Sequence, residues 1–569
     1  MRRQFRNILC ILVSTIVCIL SGCSVTEKPD TPDTEKKVPQ GAIELKLMIG
    51  NDKQWIFDEV QKILDQKAVK VNGKSIYIST EKAGTGEAME KVITKGADYV
   101  GWMPASSTHI LWANERWYAN GNTKPIVDED YTTVFLSPTV IAMQESLAKI
   151  MGYPNKKIGW QDIYALSTAA DGWGMYGKAI LNPVRFAHTH PAKSNSGLNA
   201  LIAAEYAFSG KKKGLSIDDV KTNSSKLKQL EQTIVHYGES TSLLQKKIVE
   251  KGPSFIQYAV LYEYMVASMN VNSPGKDKLV AIYPSEGTIW GDVCFTKVLS
   301  DNITEDQSKA LDEVKKILLS KDLQTKGMNE YFFRPADSSI PLSNAISVQN
   351  GVNPSEPQTT LELPGIDVIN GILNDWQTNM KKRANVLFVI DTSGSMSGEP
   401  IDNARSAIQN LFNKEAQEKN YTSIDDEDTI SLMTFNTDVS DVYTVKGKDI
   451  SEMSVVIDSL SASGNTHLYD AVDKAITEHQ ALKQSESEKK IDIIVVLSDG
   501  ADTNSQIQFS QLESMLKQKE GNLPVIITIG YGNVDKDVLE SISDKTGGKY
   551  YEGNPDTIKK VFEEIKTFF

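Results

Sequence analysis

The feature that most restricts the fold is a set of apolar runs of strand length in the C-terminal third, each ending on a polar loop. They are Asn385–Asp391, Thr429–Phe435, Asp492–Leu497 and Pro524–Ile529, and helical patterns at Ile401–Phe412, Leu468–Ala481 and Phe509–Lys519 lie between them. Runs this apolar fit strands covered on both faces, and alternation with helices predicts a doubly wound α/β domain. In such a sheet ligands lie beyond the carboxyl ends of the strands. Three of those ends carry oxygen donors. Asp391-Thr392-Ser393-Gly394-Ser395 offers a carboxylate and two hydroxyls on alternate residues, Ser463-Gly464-Asn465-Thr466 adds a hydroxyl, and Asp499-Gly500 adds a second carboxylate. Five hard oxygen donors with no His or Cys among them suit Mg²⁺ or Mn²⁺, which prefer octahedral oxygen coordination. One position would stay open for an oxygen from a partner.

These residues, Asp391-x-Ser393-x-Ser395, Thr466 and Asp499, resemble the von Willebrand factor A domain and its metal-ion-dependent adhesion site. The resemblance extends over about residues 384–569, including the Leu468-Tyr469-Asp470-Ala471 helix start. It implies a divalent cation bridging to an acidic group on a protein ligand, with Ser393, Ser395 and often Thr466 binding directly and Asp391 and Asp499 directly or through water. Asn465 stands where relatives often have a second glycine, which removes no ligand.

The 569-residue chain is long enough for several folding units. Its first residues, Met1-Arg2-Arg3-Gln4-Phe5-Arg6 followed by the uncharged run Ile8–Leu20, form a secretion signal, with the apolar run too short for a comfortable membrane span. Leu20-Ser21-Gly22-Cys23 resembles a bacterial lipobox. This implies a signal over 1–22, Cys23 as a lipidated N-terminus, and a protein held on the outer face of a cell membrane. Residues 23–42, rich in Thr, Pro and charge, read as a flexible tether.

Loss of the signal removes three arginines and no acid, so the mature chain is more acidic than the formal −13 of the whole. Bulk charge of this sign does not attract nucleic-acid phosphates. Cys10 and Cys18 leave with the signal, so Cys294 remains as the one unmodified cysteine and no intrachain disulfide forms. Its apolar neighbours predict a buried thiol rather than a reactive one. An exported chain without disulfides favours a Gram-positive surface.

Residues 43–348 carry small hydroxyl-rich loops before helices: Ala83-Gly84-Thr85-Gly86, Trp102–Ser107 and Lys193–Gly197. Helix N-termini of this kind can hold an anion or a carbonyl, and capping accounts for each loop taken singly. GTGEAMEKVI, GWMPASST, SPTVIAM, IGWQDI, THPAKSNSGLNAL, AIYPSEGTIWGD and FFRPAD, in that order, resemble extracellular solute-binding proteins of the type II periplasmic fold. The resemblance implies two α/β lobes, crossovers near 137–143 and 281–288, and a solute cleft between the lobes. Thr85, Ser106, Ser107, Ser194, Asn195 and Ser196 are the pocket candidates. No anchoring arginine or carboxylate stands out in these loops, so a polar uncharged solute and an oxyanion both fit.

Several further features carry two readings each. His188 and His190 could share a strand face and hold a metal, or sit at an ordinary strand edge. Asp425–Asp428 reads as a solvated loop. Residues 349–383, with Pro354, Pro357 and Pro364, read as a linker between two independently built units, since no tryptophan follows Trp376. The final helical pattern, Ile558, Val561, Phe562, Ile565 and Phe568, reads as a face packed on the sheet.

No nucleophile constellation, Walker loop or zinc-hydrolase helix is present, so binding rather than catalysis is expected. Two functions follow. One is metal-dependent protein binding, in adhesion or assembly, by a membrane-anchored chain whose N-terminal half is a sensor or platform. The other is a substrate-binding lipoprotein of an ABC transporter in which the A domain docks or regulates.

Overall fold

The computed structural model describes residues 38–569, apart from 274–276, 420, 486–488, 520–522, 533 and 569. The signal, Cys23 and most of the tether therefore lie outside the described residues. Among the described residues no helix is long and apolar enough to cross a membrane.

The architecture is mixed α/β. In the N-terminal half the parallel strands Lys74–Ala83, Ile43–Gly50 and Gly101–Met103 lie side by side, and Trp290–Lys297 joins antiparallel to the last. The strand Thr132–Gln144 serves two lobes. Its residues 132–138 pair with Trp290–Lys297, and residues 139–144 pair with Tyr258–Tyr262 and Leu279–Ile282. The second lobe continues through Phe186–Thr189 to Ile234–Gly238. The chain thus passes between lobes at Pro138–Thr139 and returns through 283–289.

The C-terminal sheet has the order Tyr443–Lys446, Thr429–Phe435, Ala384–Asp391, Ile491–Ser498, Val525–Tyr531 and Tyr550–Gly553. Only Tyr443–Lys446 is antiparallel to its neighbour. All eight residues of the central strand Ala384–Asp391 are buried, as the continuous apolar run requires of a strand covered on both faces. Ile558, Val561, Phe562, Ile565 and Phe568 are buried as a single face.

The two halves read from the sequence are packed together. Residues 43–569 form one compact unit, and one of its hydrophobic clusters runs from the first lobe into the C-terminal sheet. The cause lies in the segment read as a linker. Its low-hydrophobicity part is followed by the helix Ile366–Asp375, whose Val368, Ile369, Ile372 and Leu373 are buried. Gly371 has no side chain to hold this helix away from Ile217 of the helix Ile217–Glu231. Trp376 is fully buried, donates from Nε1 to Glu231 (3.0 Å), and meets the rings of His190 and Tyr237 edge-on at 4.8 and 5.2 Å. The absence of later tryptophans does not mark a domain boundary, because this last one is a shared core residue.

Candidate functional site

At the carboxyl ends of the central strands, register explains why distant residues meet. Ile390 pairs with Leu497 and Asp391 with Phe435, so Asp391, Ser498 and Asp499 emerge side by side. Asp391 is wholly buried. Its Oδ1 accepts the Ser393 N–H at 2.8 Å and its Oδ2 accepts the Ser498 hydroxyl at 2.6 Å. The Ser393 and Ser395 hydroxyls are 3.1 Å apart, and Ser395 Oγ donates to Asp499 Oδ1 at 2.7 Å.

The middle loop is tied to the first by Gly394 N–H to Gly464 O (3.0 Å) and Ser463 N–H to Thr392 O (2.8 Å). Gly464 needs its glycine, since φ is +82° and a Cβ would strike Thr437. Asn465 is accommodated through its N–H, which donates to Thr437 Oγ1 at 3.0 Å. A Cβ built on Gly500 would lie 3.9 Å from both Ser395 Oγ and Thr466 Oγ1, which places these hydroxyls around the same small space.

Electrostatics also suit a cation. Burial pushes the Asp391 carboxyl above its usual range, and burial together with the Asp391 charge does the same to Asp499, against the Ser395 hydrogen bond. Two carboxylates and three hydroxyls converging without a basic side chain are the donor set a hard divalent ion takes. The sequence reading missed Ser498, which orients Asp391, and Thr503, whose hydroxyl accepts the Thr466 N–H at 2.9 Å. The Leu497-Ser498-Asp499-Gly500 turn was the available signal for the first.

In the N-terminal half, a cavity of about 60 Å³ lies between the lobes. Thr85, Ser194 and Asn195 line it. Asn195 Nδ2 donates to Tyr262 (2.8 Å), while its buried Oδ1 has no hydrogen-bond partner. The other three candidates lie outside its lining. Ser196 is fully buried, its hydroxyl shared with Thr189 (2.9 Å) and Thr241 (2.8 Å). Ser106 and Ser107 do not line the cavity: Ser106 turns to Thr108 at 3.2 Å, and the Ser107 N–H donates to Asp292 at 3.0 Å.

The lining does hold charged side chains, contrary to expectation. Asp52 and Lys53 pair at 2.5 Å, Tyr264 also donates to Asp52, and Lys193 and Glu239 complete the wall. Asp52 and Lys53 follow the first strand in a loop with no glycine-hydroxyl pattern, so nothing local marked them.

The histidines are interior rather than at an edge, because Phe186–Thr189 lies between two strands. His188 Nε2 is 2.8 Å from Glu231, His190 packs on Trp376, and the described residues contain no group of three or more His, Cys, Asp or Glu able to hold a metal. The acidic run is not all solvated. Asp428 is buried and accepts the Ala384 N–H at 2.7 Å, anchoring the start of the central strand. Cys294 is buried, as expected.

The A-type sheet touches both lobes beside the cleft. Lys549 Nζ and Tyr551 OH reach Glu239 of the second lobe at 2.5 and 2.6 Å, and Lys560 Nζ reaches Glu87 of the first at 2.9 Å. The lobes also meet directly, with the Gly86 N–H donating to Lys193 O at 3.2 Å. The return crossover is bound by the 359–361 segment, through Thr288 N–H to Thr359 O (3.1 Å) and Leu361 N–H to Thr288 O (2.8 Å).

Comparison with known proteins finds a family match in the C-terminal half. Residues 385–564 match the family model for the von Willebrand factor type A domain. The chain is 28% identical over 201 residues to inter-alpha-trypsin inhibitor heavy chain H2 of Sus scrofa, covering 32% of this chain and 20% of that one. It is 24% identical over 178 residues to heavy chain H4 of Homo sapiens, covering 30% and 18%. The chain thus spans about a fifth of the length of these relatives. Among solved structures it is similar to a periplasmic thiamin binding protein (TM-score 0.44, 12% identity, 60% of this chain and 97% of that one). It is also similar to the ferric binding protein from Campylobacter jejuni (TM-score 0.41, 13%, 58% and 96%). Residues 385–564 are therefore a von Willebrand factor type A domain, carried on an N-terminal half of two α/β lobes.

Proposed function

We propose that this chain is a membrane-anchored extracytoplasmic binding protein. Its A domain binds a protein ligand through Mg²⁺ or Mn²⁺ held by Asp391, Ser393, Ser395, Thr466 and Asp499. The carrying observation is the convergence of three loops into one oxygen-donor set, centred on the Ser395–Asp499 contact of 2.7 Å. A bound ion would supply an open coordination position for a carboxylate of the ligand. The chain's own part is to fix the donors. Ser498 and the Ser393 N–H hold Asp391, and Gly394 binds the Gly464 loop so that Thr466 faces Ser395. The lipid on Cys23 would display this face outside the membrane.

Support for the N-terminal half as a platform comes from its cleft. About 60 Å³ is room for one or two waters rather than for a solute, and the A domain bonds to both lobes. The alternative, a receptor delivering solute to an ABC permease, is favoured by Asn195 Oδ1, a buried acceptor without a donor that a solute N–H or O–H would satisfy.

A solute panel read by melting temperature separates the two. The platform reading predicts no shift, and a shift of several degrees would establish the receptor reading. For the A domain, binding of a candidate protein ligand should vanish in excess chelator and in Asp391→Ala, and persistence in both would refute metal dependence.

A further inference from the structure

The segment that joins the halves, residues 366–380, meets two buried groups of titratable side chains on the second lobe. In the first, both ring nitrogens of His188 face acceptors. Nδ1 lies 2.8 Å from Thr189 O, and Nε2 lies 2.8 Å from Glu231 Oε1. The other Glu231 oxygen receives Trp376 Nε1 at 3.0 Å and the Tyr237 hydroxyl at 2.6 Å. The Tyr237 oxygen itself accepts the Lys382 N–H at 3.1 Å, so its proton is free to point at the carboxylate. A carbonyl cannot donate, so Nδ1 carries a hydrogen. The contact of Nε2 with Oε1 then needs a second, whether it sits on the ring or on the carboxyl. A neutral ring beside an ionised Glu231 would set two lone pairs against each other.

The second group is centred on Glu205, wholly buried in the helix Asn195–Ser209. Asn223 Nδ2 donates to its Oε2 at 2.8 Å, while its Oε1 has no hydrogen-bond partner. On the connecting helix Asp375 is in the same condition. Its Oδ1 accepts from Asn379 at 2.5 Å, and its buried Oδ2 has no partner. Burial pushes the Glu205 carboxyl up to about 8 against the Asn223 hydrogen bond, and the Asp375 and Asp219 charges add to it. Buried carboxyl oxygens without donors are best matched when one carboxyl keeps its proton.

We propose that docking of residues 366–380 on the second lobe is proton-linked, with one proton held by Glu205 near Asp375 and one shared by His188 and Glu231 beside Trp376, so that the joint between the halves loosens as pH rises. Both groups bind a proton more tightly docked than in water. Glu205 holds its own up to about 8 against an ordinary value near 4.5. For His188, burial opposes the charge, but the Glu231 carboxylate and the hydrogen bonds to Glu231 and Thr189 prevail and raise it. A raised group contributes stability that is fully present below its ordinary value and is lost as pH climbs through the raised one. Among the described residues Lys382 and His190 also face these contacts, and both act in the opposite sense. Burial pushes Lys382 down to about 8, so it acts mainly above that pH. Burial and the Lys193 and Lys381 charges hold His190 well below 6.5, so it acts mainly below that pH. Tyr237 is raised and stays protonated throughout. The window from pH 6.5 to 8 therefore belongs to Glu205 and His188. The inference does not depend on the metal reading.

The test is amide hydrogen exchange of the full chain at pH 6.5 and pH 8, with each rate divided by its intrinsic rate at that pH. Each pH unit weakens docking by up to about tenfold per proton held, so protection in residues 366–380 should fall about tenfold or more relative to the strand Ile491–Ser498. In Glu205→Gln and Glu231→Gln the side-chain amide supplies a permanent donor in place of the proton. Each single variant should remove part of the fall, and the double variant should hold the same protection at both pH values. Glu313→Gln, on a first-lobe helix and paired with Lys316, should keep the native fall. Constant protection in the native chain would overturn the proposal whether or not the variants fold. So would a double variant that keeps the native fall, or a Glu313→Gln chain that loses it.

Discussion

Lys549 Nζ lies 2.5 Å from Glu239 Oε1, joining the A domain to a residue that lines the cleft between the lobes. Tyr551 donates to the other oxygen of the same carboxylate at 2.6 Å, and Lys560 makes the matching contact to Glu87 across the cleft. The A domain thus bonds to both lobes. Tyr551→Phe removes a hydrogen bond to a charged acceptor and should cost about 1.5–3 kcal/mol in denaturant unfolding. Lys549→Ala/Lys560→Ala, at partly exposed positions, should cost less but raise amide hydrogen exchange in the helices Thr85–Lys95 and Thr241–Lys251. Unchanged exchange there would mean the contacts do not restrain the lobes.

Trp376 predicts the cooperativity of the whole molecule. Trp376→Ala empties a fully buried site between the halves and should destabilise the chain by about 3–5 kcal/mol. The native chain is expected to unfold in a single calorimetric transition, and the variant to broaden or divide it. Two well-separated transitions in the native chain would contradict a shared core.

Asp492 sets an acid dependence. Burial opposes its charge, but hydrogen bonds and charge from His479 and Lys483 prevail and hold its carboxyl down at about 2. A group depressed on folding contributes stability that is fully present above its unfolded value near 4 and is lost as pH falls toward 2. The contribution is about 2 kcal/mol. Asp492→Asn should flatten that part of the stability profile while leaving its shape above pH 6 unchanged. A steep acid limb that survives the substitution would assign the effect elsewhere.

Ser498 separates support of the site from the site itself. Ser498→Ala leaves every proposed ligand in place but deprives buried Asp391 of a 2.6 Å donor. Metal affinity should fall by about 10–100-fold, the usual effect of losing an outer partner of a ligand. The fold should survive, with a loss of about 1–3 kcal/mol. Unaltered metal affinity would show that Asp391 needs no such support.

The A domain was legible because its chemistry is local. Apolar runs of strand length end on the donors, so Asp391, Ser393, Ser395, Thr466 and Asp499 could be named together, and sheet register does the rest. The short strands Tyr443–Lys446 and Tyr550–Gly553 escaped notice, being four residues each with weak apolar patterning. The cleft was legible only in part. A hydroxyl before a helix looks the same whether it lines the cleft, as Ser194 does, or is enclosed among neighbouring hydroxyls, as Ser196 is. Asp52 and Lys53 belong to no motif, and only the closure of two lobes brings them to the cavity. The connecting segment misled because prolines near 354–364 resemble a spacer, while the helix after them buries its face against a partner far away in sequence.

The most direct measurement is a Mn²⁺ titration of the full chain, followed by electron paramagnetic resonance, in parallel with Asp391→Ala and Asp499→Ala. The metal-site account predicts one Mn²⁺ bound per native chain, displaced by Mg²⁺, and loss of that site in both variants. Absence of a bound ion in the native chain, or equal binding in the variants, would contradict it.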